Sequence, residues 1–463
     1  MPRIVTLNVS VDMAPTPNNL QQTGAIISQG ATTLSSGAYS LLTQSSDLTS
    51  LLGGTLSLTS ITWSSGTATA TAAAAIPGLS INDVFITTIA GATPAGYNGT
   101  FLATVTGTNT FTFALASNPG TETVAGTFTP PNQQELIAMV GEFFSQGQTQ
   151  AVYVLELGAG DGTSGPTALS TWITANPGVF YSYLLPRLWD ATSQSSPTIT
   201  LMKAYTSTTS MTYFFVTTTT ANYAQYTGTN ALKSAVPFVE APLANATLNT
   251  FDCASVFQMW LSNNPGVGTP MTTMSWRYSF GTTAWPQAGN TATLASMDAA
   301  KVNYITTGAQ GGISTNCLAN GYTGDGRPMA WWYEVDYLQI QIPIMLANAV
   351  INASNDGNPI DYDQSGVDTL HDVSKNVFTS AAAANVVNGP VTGTDLTQTQ
   401  FTTNFNNGDY NGQNVVNAVP FQTYVAANQS QYLAQKYGGF SAVATPMLGI
   451  ESIIFNLTAT TFA

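Results

Sequence analysis

Charge is what this sequence has least of. Asp, Glu, Lys and Arg make up 7% of its 463 residues, against about a quarter in ordinary globular chains, and only nine of them are basic. A net charge of −14 with scattered Lys and Arg lacks the clustered cations a phosphate backbone requires, so no nucleic-acid partner is expected. Histidine occurs once, at His371. The two cysteines, Cys253 and Cys317, lie far apart with no further Cys or His at metal-ligand spacing, and both are expected as free thiols of a reducing compartment. Long apolar runs are also missing. The most apolar stretch, "YLQIQIPIMLANAVI", falls short of the roughly 20 residues of a membrane span and is interrupted by Gln339, Gln341, Pro343 and Asn348, so it is predicted as a buried helix and no membrane insertion is expected. "MPRIVTLNVSVDMAPTP" has no continuous apolar core behind a basic start, so no secretory leader is expected.

What is there is uncharged polarity, mostly Ser, Thr, Asn and Gln, on a chain that is 44% hydrophobic and 10% aromatic. That is enough apolar material to fold. A surface with so little charge lacks the repulsion that keeps monomers apart, which favours a chain that hides its surface in a polymer. The ends point the same way. Ile4, Val5, Leu7, Val9 and Val11 form one apolar face alternating with Thr6, Asn8 and Ser10, and "SIIFNLTATTF" at the other end contains Ile453, Ile454, Phe455 and Leu457 with no charge after Glu451. Soluble proteins normally blunt such strands. Both ends here are left adhesive.

Along the chain, residues 1–20 read as a strand followed by the extended leash "APTPNNL", and residues 21–57 as a strand, "TGAIISQG", and a helical pattern in "LLTQSSDLTSLLGG". From 58 to 129 short strands and turns succeed one another, closing at Pro130 and Pro131, which predicts a small inserted all-β domain facing outward. Residues 130–245 alternate helices and strands, predicting a mixed α/β layer, and 246–440 is predicted as a mainly helical second domain in which the strand "MTTMSWRYSF" separates "FDCASVFQMWLSN" from "ATLASMDAAKVNYIT". Residues 441–463 form the second arm. The fold class is therefore α+β and multidomain.

No catalytic or metal centre emerges. "DYDQSGVDTLHD" puts Asp361, Asp363, Ser365 and Gly366 at calcium-loop positions but ends on Asp372 rather than Glu, and Asp368 stands where an apolar residue belongs. A helix cap by Asp363 or Ser365 explains these residues with fewer requirements. "GAGDGTSG" is glycine-rich but lacks the lysine of a phosphate cradle. Asp161 and Asp325 fall in separate turns with nothing to bring them to one substrate, and His371 is expected on a helix surface. No cofactor and no enzymatic activity are expected.

"GYTGDGRPMAWWYEVDYLQIQIPIMLANAVINASNDGNPIDYDQSGVDTLHDVSKNVF" resembles the contractile tail sheath proteins of bacteriophages in its order: a Gly/Asp turn, "WYEVDYLQIQIPIML", an Asn-Pro-Ile-x-Tyr turn, and a helix opened by "SGVDTL". "TPAGYNGTFLAT" within the insert resembles a β-module that recurs in phage structural proteins. The sheath resemblance implies a subunit of stacked hexameric rings around a tail tube in the virion tail, assembled in the host bacterial cytoplasm, with the tube, baseplate and terminator proteins as partners. It implies that the two terminal strands complete small sheets in neighbouring subunits. It also places Tyr432 and Lys436, on a helix predicted over "NQSQYLAQKYGG", against the tube. Competing readings are a tail fibre or shell component, which calls for repeats or a trimeric β-rich end, and a secreted hydrolase with a β-rich binding module, which calls for an acid/base pair and a leader.

Overall fold

A computed structural model describes residues 19–76, 79, 81–82, 84–147, 150–242, 250–266, 270–308 and 315–448. The linking-strand candidates Ile4, Val5, Leu7, Val9, Val11, Ile453, Ile454, Phe455 and Leu457 lie outside these residues. The described residues form two compact units, one of 19–264 and 278–327 and one of 265–277 and 328–448.

The first unit opens with β1 (Gly24–Ser28) and β2 (Tyr39–Leu42). Next come β3 (Leu56–Ser64), β4 (Thr67–Ala72), β5 (Val84–Ala90), β6 (Gly99–Gly107), β7 (Thr110–Ala114) and β8 (Thr127–Phe128), closed into a barrel in the order β3-β4-β7-β6-β5-β8. Alternation builds it: in "TATATA" the alanines Ala68, Ala70 and Ala72 point inward and are buried, leaving Thr67, Thr69 and Thr71 outside. Small alanines leave room for the rings that fill the interior, with Phe111 5.4 Å from Phe85 and 5.2 Å from Phe128. Leu56, where the barrel begins, pairs with Phe128, where it ends.

The chain then runs through α1 (Pro131–Ser145), β9 (Val152–Glu156), α2 (Ser164–Ala175), β10 (Ser182–Leu184), α3 (Pro197–Ala204), β11 (Tyr213–Thr218), β12 (Ala235–Val239) and α4 (Cys253–Leu261). The six-stranded sheet has the order β12-β11-β10-β1-β9-β2, parallel except for β2. β1, β11 and β12 are buried at every position, as strands covered on both faces must be. Ile27, Phe214 and Val216 pack with Trp172 of α2 and Met202 of α3. Phe215, one residue out of phase, meets Phe257 of α4 at 5.1 Å on the opposite face. Pro237 is tolerated because β12 is an edge strand. This unit also contains α5 (Thr291–Ala299) and the hairpin of β13 (Tyr304–Thr307) with β14 (Asn316–Ala319).

The second unit holds α6 (Met329–Asn355), α7 (Gln364–Ala383), β15 (Val391–Thr394), α8 (Gln398–Asn407), β16 (Asn414–Ala418), α9 (Phe421–Ala427), α10 (Gln429–Leu433) and β17 (Phe440–Val443). Its sheet has the order β15-β16-β17, parallel then antiparallel, and α7 packs over β15 and β16.

Several sequence expectations need correction. "LLTQSSDLTSLLGG" is not an α-helix: β2 takes its first two residues and a 3-10 turn, Ser45–Ser50, follows, because the Asp47 carboxylate collects the Thr43 and Gln44 amides into a tight capping box. "MTTMSWRYSF" is no strand. Trp276 has φ 65°, which breaks extended pairing, and one isolated bridge at Tyr278 is what remains. "ATLASMDAAKVNYIT" splits into α5 and β13 at Lys301, which has φ 58°. The helix around Pro343 is buried mainly in its first half: beyond the proline Leu346 is buried, while Met345 and Ile351 are exposed.

Candidate functional site

In a parallel sheet the natural ligand position is the crevice beyond the carboxyl ends of strands whose connections leave in opposite directions. Here that place lies at the ends of β1 and β9, since β1 sits between β9 and β10 and α2 carries the chain from one to the other. It is filled from within. The Glu156 carboxylate, almost wholly buried at the end of β9, accepts hydrogen bonds from the Gly30 amide (2.6 Å), the Gly158 amide (2.7 Å), the Ser28 hydroxyl (2.7 Å), and the Thr32 amide (3.1 Å) and hydroxyl (2.8 Å). The backbone amides that would cradle a phosphate are thus spent on a carboxylate of the chain itself. Asp161 repeats the arrangement at the start of α2, accepting from the Thr163 (2.9 Å) and Ser164 (2.7 Å) amides, and these bonds hold its carboxyl below the usual range. The glycine-rich run is a loop whose anion positions are self-occupied.

The other acids read from the sequence are engaged locally as well. Asp325 takes the Thr323 hydroxyl at 2.6 Å and the Arg327 amide at 3.2 Å within its own turn, so it and Asp161 each serve a separate loop. Asp363 caps α7 by accepting from the Gly366 amide at 2.9 Å. Among the described residues no group of three or more His, Cys, Asp or Glu is arranged to hold a metal ion. His371 is not on the helix surface: it is buried under β16, with Nε2 2.9 Å from the Val416 carbonyl and Nδ1 3.7 Å from Asp395. Its position on the apolar stripe with Val367, Ser374 and Phe378 was the signal for burial. Cys253 and Cys317 are both buried free thiols.

A buried acidic cluster was not foreseen. Arg187 pairs with Glu240 at 2.5 Å, also donates to the Thr250 carbonyl, and lies 4.7 Å over the Phe251 ring. Around it stand Glu135, Glu142 and Asp252. Burial, reinforced by the Asp252 charge, pushes Glu142 up to about 8, and burial, reinforced by Glu240, pushes Asp252 up to about 7.

The second unit presents a different kind of site. Strands β15, β16 and β17 contain no charged residue, β16 is buried throughout, and neither β15 nor β17 pairs with a further strand among the described residues. The chain leaving β17 is held to this sheet: Thr445 donates its amide to the Asn414 side chain (2.9 Å) and its hydroxyl to the Gln413 carbonyl (2.8 Å), and accepts from the Asn388 amide (2.7 Å). Glu334, buried in α6 and pushed up to about 9 by desolvation, accepts from the Met447 amide. The predicted helix over "NQSQYLAQKYGG" is shorter than expected. α10 stops at Leu433 in a Schellman cap, with Gln435 at φ 52° and the Lys436 amide on the Gln431 carbonyl (2.9 Å). Tyr432 is half-exposed, with ring centroids 5.9 Å from Tyr362 and 6.5 Å from Phe421, and the Lys436 side chain is exposed.

No protein-family model matches the sequence, and no curated protein does. Among solved structures the chain is similar to a sheath tail protein from Listeria innocua (9% identity, 79% of this chain and 85% of that one, TM-score 0.41). It is also similar to the helical sheath of the anti-feeding prophage in its contracted state (9% identity, 99% of each chain, TM-score 0.49) and to a sheath tail protein from Desulfitobacterium hafniense (10% identity, 83% and 90%, TM-score 0.38).

Proposed function

We propose that this chain is the sheath subunit of a contractile tail, polymerising as stacked hexameric rings around a tail tube and contracting to drive that tube through a host envelope. The observation that carries the reading is the small sheet β15-β16-β17. Its outer strands are uncharged and open-edged among the described residues, and the chain leaves it toward a C-terminal segment whose sequence is an apolar strand in search of a partner. Open edges and donated strands are complementary: backbone hydrogen bonds supply the affinity, and alternating side chains set the register. Ile4 to Val11 and Ile453 to Leu457 are the linking strands in this proposal. Tyr432 and Lys436, exposed beside the same sheet, are the tube contacts. The filled crevice at Glu156 supports a structural role over nucleotide-driven work, because contraction of an assembled lattice draws on the difference between two packings of the same subunits.

The test is assembly with the linking strand removed. The full chain should form tubes or rings in negative-stain images, while deletion of residues 451–463, or Ile454→Pro, should leave a monomer with unchanged helix content by circular dichroism and no tubes. Tubes of normal length from the truncated chain, or a truncated chain that no longer folds, would refute the linking role.

A further inference from the structure

Residues 279–283 touch two members of the buried acidic cluster, Glu142 and Asp252, and are tied down by hydrogen bonds on three sides. Beside α1, the Gln146 side chain accepts from the Phe280 amide at 3.0 Å and donates to the Phe280 carbonyl at 2.7 Å, and its NH2 group also donates to Glu142 Oε1 at 2.7 Å. Beside α4, Asp252 Oδ2 accepts from the Thr283 amide at 2.9 Å, and the Ser279 hydroxyl donates to the Ser255 hydroxyl at 2.9 Å. On the third side the Ser279 amide donates to the Asn316 carbonyl of β14 at 2.9 Å. Gly281 permits the close approach in the middle: its φ is 76°, and a Cβ there would lie 3.3 Å from Glu142 Oε2 and 3.2 Å from the Ser145 hydroxyl.

The charges under this segment do not balance once its carboxyls ionise. Glu135 on α1, Glu240 after β12 and the Cys253 thiol at the start of α4 stand around Glu142 and Asp252, and Arg187 is the cation they share. The segment's own flank and β14 bring only the neutral Tyr278 and Cys317, which face each other across an isolated bridge. Fully ionised, Glu135, Glu142, Glu240 and Asp252 would set four carboxylates against one guanidinium, and Asp252 Oδ1 has no hydrogen-bond partner over which to spread its charge. Such a cluster is costly unless water reaches it. α4 is buried at every position and cannot yield cheaply, whereas residues 279–283 are a short surface crossing with the Phe280 ring half-exposed. We propose that residues 279–283 are a proton-controlled strap, closed over Glu142 and Asp252 while these are protonated and lifted from α1 and α4 when both ionise, so that water reaches the cluster without unfolding of the unit. Glu142 at about 8 and Asp252 at about 7, both raised chiefly by burial, set the range. An open strap restores ordinary carboxyl values, so the closed form is fully favoured below those values, loses ground as pH rises, and has lost all of it once pH passes 8. The device does not depend on polymerisation.

The experiment is hydrogen exchange of the full chain, read by mass spectrometry as protection relative to an unstructured peptide at the same pH. The Phe280 and Thr283 amides, which bond to Gln146 and Asp252, report the strap. Their protection should fall at least about tenfold from pH 6 to pH 8 and level off above pH 9, since each group that titrates between open and closed forms contributes up to about tenfold per pH unit, while the amides of β1 and β9 keep theirs. Combining Glu142→Gln with Asp252→Asn keeps an acceptor at each position and removes both charges, and should reduce the fall to under about threefold. A second readout leaves both acids in place: Phe280→Cys carries a nitroxide at a half-exposed position, the native thiols being buried, and its line shape should pass from restricted to mobile over the same range. Protection and line shape that stay constant from pH 6 to pH 9 would overturn the strap. So would a loss of protection shared equally by β1 and β9, which would mean that the whole unit opens, or a loss that persists undiminished in the neutral pair. Should the neutral pair fail to fold, the wild-type exchange and the nitroxide decide between these outcomes on their own.

Discussion

Replacing Glu156 by Gln changes one oxygen to an NH2 group and leaves the size of the side chain unchanged, which makes it a clean probe of the sealed crevice. The carboxylate accepts five hydrogen bonds, two on Oε1 from the Gly30 and Gly158 amides, and three on Oε2 from the Ser28 hydroxyl and the Thr32 amide and hydroxyl. Putting the new NH2 at the Oε1 position would set it against two backbone donors that cannot turn away. At the Oε2 position the Ser28 and Thr32 hydroxyls can rotate to accept, and only the Thr32 amide is orphaned, so this orientation wins. The cost is then one buried unsatisfied donor, about 1–3 kcal/mol, plus the loss of charge assistance on the bonds that survive, about 1 kcal/mol in all. A total of about 2–4 kcal/mol corresponds to a fall of roughly 5–15 °C in the melting temperature of a unit this size. Urea titration followed by tryptophan fluorescence measures the first quantity and calorimetry the second. The control is Glu122→Gln in the barrel, where the carboxylate accepts from the Ile61 amide at 3.2 Å, and it should lose under half as much. If Glu156→Gln stays within about 0.5 kcal/mol of the parent, the carboxylate is not what closes the crevice and the reasoning fails.

Stability should also depend on pH in an unusual direction. Glu142 and Asp252 have folded values of about 8 and about 7, raised from ordinary carboxyl values. The stability they contribute is therefore fully present below the unfolded values and is lost as pH rises through 7 to 8. The urea midpoint should fall between pH 6 and pH 9, less steeply in Glu142→Gln, and a midpoint that rises over this range would contradict the sign. Deleting the barrel, residues 57–127, and rejoining the chain through a short Gly/Ser linker should leave a folded chain that still polymerises, because the barrel has its own core and its two ends meet at one pair. Loss of all polymer from a deletion chain with native-like circular dichroism would show that the barrel belongs to the assembly contacts.

The elements legible in the sequence were those whose periodicity and punctuation agree. "TATATA", "QAVYVLEL" and "QELIAMVGEFFSQG" each carry one clear period bounded by turn residues, and each forms the element it predicts. Where the reading failed, a local backbone feature overrode composition. Trp276 and Lys301 adopt positive φ without being Gly or Asn, so "MTTMSWRYSF" looks like a strand and "ATLASMDAAKVNYIT" like one helix until their dihedrals are known. The crevice was hidden for another reason. Glu156 ends an otherwise apolar strand and immediately precedes Leu157 and Gly158, a charged residue where none belongs unless something pairs with it, but four of its five hydrogen bonds come from residues 28–32, more than a hundred positions away. The buried Arg187 cluster draws on four separate segments, and no spacing in the sequence announces it.

The barrel's single rung of entry and exit has a mechanical consequence. Leu56 and Phe128 face each other across one antiparallel ladder, about 5 Å apart. Stretching, shearing or twisting the surrounding subunit changes the separation of distant points far more than that of two neighbours on a rung. Tension travelling along the backbone is short-circuited by the hydrogen bonds of β3 with β8, so the seventy residues in between hang in parallel with the load path and not as a link in series. A chain under strain can therefore carry the barrel without transmitting force to it, and the barrel can lengthen, shrink or be exchanged without altering the span between the elements on either side.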